Sequence, residues 1–127
     1  MLAQALQSNS KVTSLWLAHN KITDTGLSSL AEALTRNHTV QTLDVTSNHI
    51  TAEGALLFAQ TLLVNHGLAS LFLGHNNLGD VGGCKILSSL RSNRNLTQLD
   101  LSHCLLRAEG GASIADLIRT NTTLHTL

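Results

Sequence analysis

Apolar residues recur along this chain at a constant interval, which separates Val12 from Val40 and Leu68 from Leu96. Each of these positions opens the same pattern, apolar-x-x-Leu-x-apolar-x-x-(Asn or Cys)-x-apolar. The full copies are Val12, Leu15, Leu17, Asn20 and Ile22; Val40, Leu43, Val45, Asn48 and Ile50; Leu68, Leu71, Leu73, Asn76 and Leu78; and Leu96, Leu99, Leu101, Cys104 and Leu106. A fixed period of about 28 residues is typical of a solenoid, in which each repeat buries its apolar face against its neighbour.

The first half of each repeat predicts a short strand, because leucines alternate with other residues at period two. The segments TSLWL, QTLDV, ASLFL and TQLDL show this alternation. Leu15 and Leu17 are therefore expected to point inward, with their neighbours facing outward. We expect five parallel strands, which begin near residues 13, 41, 69, 97 and 125.

The second half of each repeat predicts an amphipathic helix, because apolar residues recur there at spacings of three and four. Polar residues at the expected helix starts are candidates for N-cap or first-turn positions. These candidates are Thr23 or Asp24, Thr51, Asp80 and Glu109. An asparagine recurs before each strand, where left-handed geometry at a helix end would suit it. These asparagines are Asn9, Asn37, Asn65, Asn93 and Asn121.

The whole pattern, Leu-x-x-Leu-x-Leu-x-x-Asn/Cys-x-Leu-x-x-x-Gly-x-x-x-Leu-x-x-x-Leu, resembles the ribonuclease-inhibitor-like class of leucine-rich repeats over residues 2–127. The segment LAEALTRNHTVQTLDV is most similar to the repeats of NOD-like receptors. The resemblance implies an α/β fold, a right-handed horseshoe segment with parallel strands on its concave face and helices on its convex face. The same class includes Ran-activating proteins, tropomodulin-type actin regulators and bacterial effectors.

We expect residues 1–127 to form a single repeat domain. Residues 1–11 and 124–127 would be partial repeats, and 12–39, 40–67, 68–95 and 96–123 would be full ones. Solenoids need capped ends to cover their cores, and neither end of this sequence carries a capping module. The expectation is therefore a fragment of a longer array, or else a short product of a repeat family, and in either case a chain that would self-associate through its uncapped ends.

A second rhythm of two repeats overlies the first at the central outward position of each strand. This position alternates between aromatic and acidic residues: Trp16, Asp44, Phe72 and Asp100. The helix entries alternate in phase with it, as Asp24-Thr25-Gly26 and Ala52-Glu53-Gly54 illustrate. Duplication of a two-repeat block would produce this pattern, and so would a concave face that is adapted to a partner. The two explanations are compatible.

The alternating aromatic and acidic residues predict a protein-binding site on the concave face. Exposed aromatic side chains with polar surroundings are the usual composition of interface hot spots. Strand spacing places Trp16 and Phe72 about 10 Å apart, with Asp44 between them. Small or polar residues flank this row and would leave a shallow groove: Ser14, Ala18, Thr42, Thr46, Ser70, Gly74, Gln98 and Ser102.

The ninth position of the pattern predicts a structural ladder. It is occupied by Asn20, Asn48, Asn76 and Cys104. A buried asparagine there can bond the turning backbone of its own and the neighbouring repeat. The thiol of Cys104 is a weak donor and a small hydrophobic group, so it can occupy the same place.

Histidines share a loop position at His19, His75 and His103. Neighbouring imidazoles about 5 Å apart could share a metal ion or sense pH. A polar loop residue is the alternative interpretation, and it is favoured because no Cys or carboxylate completes a tetrahedral set in the same loop. The sequence shows no catalytic constellation, so we expect no enzymatic activity, no metal and no cofactor.

Eight basic residues balance eight acidic ones, which argues against a nucleic-acid or anionic-membrane partner. Cys84 and Cys104 occupy unlike places in the repeat, so they predict no disulfide framework and suit a reducing compartment. The preferred hypothesis is a cytoplasmic protein-recognition module, which would act in the host cytosol if it is a bacterial effector. The alternatives are a regulator of a small GTPase and a structural spacer within a larger receptor or effector.

Overall fold

Helices and short strands alternate along the chain in the computed structural model, which describes residues 1–127 in full. The helices are α1 (Leu2–Ser8), α2 (Thr23–Leu34), α3 (Ala52–Val64), α4 (Gly79–Ser89) and α5 (Ala108–Thr120). The strands are β1 (Ser14–Trp16), β2 (Thr42–Asp44), β3 (Ser70–Phe72) and β4 (Gln98–Asp100). Together they form a right-handed solenoid, with the parallel sheet on the concave side and the helices on the convex side.

The strands pair in parallel in the order β1-β2-β3-β4. Equivalent residues of successive repeats lie opposite each other, as Leu43 does with Leu71. Each strand begins one residue after its predicted start, at residues 14, 42, 70 and 98. The fifth predicted strand is reduced to a single bridge, which joins Gln98 and Thr126 in parallel. The strand register therefore keeps the interval that the sequence predicts.

Aliphatic side chains form one continuous core between the sheet and the helices. Its members include Leu43, Leu71 and Leu99, which occupy the same inward strand position in successive repeats and are each at most 1% exposed. Phe58 is the only aromatic side chain in this core. Full burial of one such leucine contributes about 1.5–3 kcal/mol, so the stacked leucines join each repeat to the next.

The alternating helix entries join the repeats in pairs. The Asp24 carboxylate accepts hydrogen bonds from the backbone amides of Thr51, at 2.8 Å, and Gly54, at 3.1 Å. Asp24 lies in the first turn of α2, as predicted, and its side chain caps α3 of the next repeat. A Cβ atom on Gly54 would overlap Oδ1 of Asp24, so glycine leaves the room that this contact needs.

Asp80 repeats the same arrangement two repeats later. Its Oδ1 accepts from the backbone amides of Arg107, at 2.7 Å, and Gly110, at 2.9 Å, at the start of α5. Among the predicted capping residues, Thr51 accepts from an amide of its own helix, that of Glu53, at 3.3 Å. The period of two repeats at the helix entries thus has a structural cause. A repeat that supplies a capping Asp alternates with a repeat whose helix receives that cap.

The asparagines before each strand form a ladder of their own. The expectation of left-handed geometry was wrong, because Asn9, Asn65 and Asn121 are extended, with φ between −90° and −77°. The amide of Asn65 donates to Leu34 O at 2.7 Å, and its Oδ1 accepts from Leu68 N at 2.8 Å. This side chain therefore ties the end of α2 to the segment that leads into β3.

Candidate functional site

Outward-facing residues of the four strands line up in rows across the sheet, and we call this surface the strand face. Its central row is Trp16, Asp44, Phe72 and Asp100, which the strand register places side by side. A second row consists of Ser14, Thr42, Ser70 and Gln98. The sequence-predicted partner-binding residues therefore share one surface.

Trp16 and Phe72 meet above the central row. Their ring centroids are 6.2 Å apart and the ring planes are inclined by 29°. The strand register keeps Trp16 and Phe72 two strand spacings apart with Asp44 between them, as predicted, and their rings lie closer together than the strands do. Trp16 remains 67% exposed, whereas Phe72 is half-buried. The strand face therefore carries a preformed aromatic pair with an accessible indole.

The carboxylates of the central row are anchored by the backbone and not by cations. Oδ1 of Asp44 accepts from the amide of Thr46 at 2.9 Å, and Oδ1 of Asp100 accepts from the amide of Ser102 at 2.8 Å. Every salt bridge in the protein involves Asp116 of α5, on the convex side. Asp44 and Asp100 thus present negative charge that no Lys or Arg side chain of the protein neutralises.

Small residues keep the flanks of the central row shallow. Ser70 Oγ lies 3.3 Å from Gln98 Oε1, to which it donates a hydrogen bond. A Cβ atom on Gly74 would lie 2.8 Å from Asp100 Oδ2 and 2.9 Å from Ser102 Oγ. Glycine at this position therefore leaves the carboxylate of Asp100 in place on the open surface.

The asparagine ladder fixes the loops that follow the strands. Asn76 is 3% exposed, and its Oδ1 accepts from the backbone amides of Asn48, at 3.0 Å, and Ile50, at 3.1 Å. Its Nδ2 donates to Val45 O at 3.0 Å and to Leu73 O at 2.9 Å. With a longer bond from Nδ2 to Gly74 O, at 3.4 Å, one side chain serves five backbone groups in two adjacent repeats.

Asn48 makes equivalent contacts to the first repeat. Its Nδ2 donates to Leu17 O at 2.8 Å, and its Oδ1 accepts from Ile22 N at 3.2 Å. Asn20 departs from the prediction: it is exposed and donates only to Leu17 O and Ala18 O of its own turn. It follows β1, at the edge of the sheet, where no preceding turn offers a partner.

Cys104 occupies the ladder position of the last full repeat. It is 1% exposed, and its Sγ donates to Leu73 O at 3.2 Å. Burial raises the pKa of the Cys104 thiol above its ordinary value; the backbone amide of Asn76 opposes this rise and the Asp100 carboxylate adds to it. The thiol therefore stays protonated, as a structural role requires.

The histidine row lies in left-handed backbone. His19, His75 and His103 have φ of 58°, 55° and 52°, a region in which histidine is enriched among non-glycine residues. The rings of His75 and His103 stack with their centroids 4.2 Å apart. No group of three or more His, Cys, Asp or Glu side chains is placed to hold a metal ion. Loop geometry thus accounts for these histidines.

Cys84 is half-buried and unpaired. Its Sγ accepts a hydrogen bond from Ser113 Oγ at 3.1 Å. This contact links α4 to α5 and brings no histidine to the thiol. No helix has the length and apolar character needed to cross a membrane.

Comparison with known proteins gives a family match and a structural match. The leucine-rich repeat family model matches residues 8–31, 36–59, 64–87 and 92–115. Successive matches begin at the same interval as successive strands, and each match is slightly shorter than one repeat. No curated protein sequence matches the chain.

The solved structure of leiomodin-1 actin-binding site 2 is similar, with a TM-score of 0.90 and 25% sequence identity. The alignment covers 98% of this chain and 75% of that one. Leucine-rich repeat folds are typically non-catalytic binding scaffolds, and neither comparison indicates a catalytic family.

Proposed function

Because this chain belongs to the leucine-rich repeat family, we propose that it is a protein-recognition module whose strand face contacts a protein partner. The observation that carries this proposal is the position of Trp16, which is 67% exposed and stacked on Phe72 on the strand face. A large aromatic side chain held open to solvent gains most from burial in an interface.

The rigidity of the strand face supports the same function. Ladders of asparagine hydrogen bonds fix the loops at both ends of the strands, as the contacts of Asn76 and Asn65 show. A surface that is already ordered loses little conformational entropy on binding. The aromatic pair therefore offers contact area without first having to be arranged.

We also infer that the chain belongs to the ribonuclease-inhibitor-like class and resembles the sensor repeats of NOD-like receptors. The constant repeat interval and the full helix in each repeat support this assignment. A cytoplasmic location is part of the proposal, and the unpaired thiols of Cys84 and Cys104 support it.

A capture experiment with matched variants tests the binding proposal. Wild-type protein is used as bait beside Trp16→Ala and beside Leu57→Ala, which truncates an apolar residue of α3 that is 48% exposed on the convex side. Truncation of Trp16 is expected to weaken binding by at least about 1–2 kcal/mol, or roughly ten-fold in Kd. Leu57→Ala should leave binding unchanged. Partners that bind Trp16→Ala as well as wild type would contradict the proposal.

Actin is a second candidate partner, because the similar structure is an actin-binding site of leiomodin-1. Monomeric actin is mixed with the protein, and complex formation is followed by analytical ultracentrifugation. If actin is the partner, the complex should form with wild type and be weakened by Trp16→Ala. Absence of a complex at high micromolar concentration would exclude actin and leave the general proposal to the capture experiment.

A further inference from the structure

The charges of the strand face have one sign only. Along the rows that begin at Ser14, Trp16 and Ala18, the only ionisable side chains are Asp44 and Asp100. The balanced charge of the whole chain therefore hides a local excess of negative charge at the proposed binding surface.

Each of these carboxylates has one oxygen that accepts a hydrogen bond from the protein and one oxygen that accepts none. Oδ1 accepts from a backbone amide two residues later in the chain, that of Thr46 or Ser102. No hydrogen bond or salt bridge occupies Oδ2 of Asp44 or Asp100. The amide bonds fix the direction of each carboxylate, so a cation can approach the open oxygen without reorganising the side chain.

The aromatic pair lies against the same carboxylates. Asp44 is in register between Trp16 and Phe72, and Asp100 is in register beside Phe72. A cation that approaches Asp44 therefore passes the accessible indole, whose face attracts positive charge. The aliphatic part of an Arg or Lys side chain can pack on the rings while its charged end reaches the carboxylate.

We propose that the strand face recognises a basic protein segment that presents two Arg or Lys side chains about 10 Å apart, which is two strand spacings. One basic group pairs with Asp44 beside Trp16, and the other pairs with Asp100 beside Phe72. A segment in the polyproline II conformation, with three residues per turn, presents basic residues three positions apart on one face at about this separation. This inference rests on the proposed function and specifies the chemistry of the partner.

A short peptide pair tests the charge requirement directly. The probe is acetyl-Arg-Gly-Gly-Arg-amide, and its control replaces both arginines by citrulline, which keeps the shape and removes the charge. Isotope-labelled protein is titrated with each peptide, and NMR follows the indole N–H of Trp16 and the backbone amides of Thr46 and Ser102. Those amides donate to the two carboxylates and so report on their occupancy.

The arginine peptide is expected to shift all three signals in a saturable way, with an affinity at least about ten-fold above that of the citrulline peptide. The double variant Asp44→Asn, Asp100→Asn should lose about the same factor. Asp116→Asn removes a carboxylate on the convex side and should leave the titration unchanged. Equal affinity for both peptides, equal affinity for the double variant, or no shift at millimolar peptide would overturn the inference.

The capture experiment separates failure of this inference from failure of the proposed function. Suppose that a partner requires Trp16 but binds the Asp44→Asn, Asp100→Asn variant as tightly as wild type. That result would support the recognition role and contradict the proposal of a basic segment. Far-UV circular dichroism spectra of the Asp44→Asn, Asp100→Asn variant and of wild type should match, since the asparagine Oδ1 can still accept from the amides of Thr46 and Ser102.

Discussion

Replacing Asn76 by leucine removes the central member of the asparagine ladder while keeping a side chain of similar size. In the native protein, Asn76 Oδ1 accepts from the buried amides of Asn48 and Ile50. Its Nδ2 donates to the carbonyls of Val45 and Leu73. Leucine can replace none of these bonds, so the change isolates the polar role of the position.

The expected cost follows from the number of groups that lose their partner. A buried backbone group without a hydrogen bond costs about 1–3 kcal/mol. The two amides alone therefore predict a loss of about 2–6 kcal/mol, part of which local relaxation and entry of water will recover. We expect Asn76→Leu to lose at least about 3 kcal/mol, a large share of the stability of a small domain.

Asn20→Leu is the matched control, because it makes the same change at the same repeat position. Asn20 is exposed and donates only within its own turn, so its replacement should cost less than about 1 kcal/mol. Urea denaturation followed by circular dichroism gives both values. Equal stabilities for the Asn76→Leu and Asn20→Leu proteins would refute the contribution of the ladder to the stability of the repeats.

Further predictions concern the buried thiol and the helix entries. At pH 8, a thiol reagent should modify Cys84 in the folded protein and Cys104 only after unfolding, because burial excludes the reagent and raises the pKa of Cys104; mass spectrometry of the labelled protein measures this. Asp24→Ala should destabilise the protein by about 1–2 kcal/mol, as loss of a helix cap does; a smaller effect in urea denaturation would contradict the capping role. Gly54→Ala should be destabilising, because its Cβ would overlap the capping carboxylate, whereas Gly111→Ala, with open space around it, should stabilise α5 by about 0.5–1 kcal/mol; thermal denaturation that shows the reverse order would contradict the packing of the helix entries.

The repeat period made most of the fold predictable. Equivalent apolar positions of successive repeats must stack on one another, so a strand register such as Leu43 opposite Leu71 follows directly from the repeat interval. The inward leucines and the burial of Asn48 and Asn76 follow for the same reason. The strands could be placed to within one residue, because the four full copies of the pattern share one alignment.

Features that depend on contacts between repeats were less accessible from sequence. Asp24 reads as a cap for its own helix, but its partners lie in the next repeat, 27 and 30 residues later. The asparagines such as Asn65 suit either a left-handed turn or a buried ladder, and only the packing decides between them. The approach of Trp16 to Phe72 depends on side-chain rotamers, on which strand spacing has no bearing.

The central claim is that a protein partner covers the strand face, and Trp16 allows a direct measurement because it is the only tryptophan in the chain. Incorporation of a fluorinated tryptophan gives one fluorine NMR signal from the proposed interface. Addition of a captured partner, with complex formation verified by ultracentrifugation, should shift this signal and reduce its sensitivity to a soluble paramagnetic quencher. A complex that forms while the signal keeps both its position and its full exposure to the quencher would show that binding occurs elsewhere and would contradict the claim.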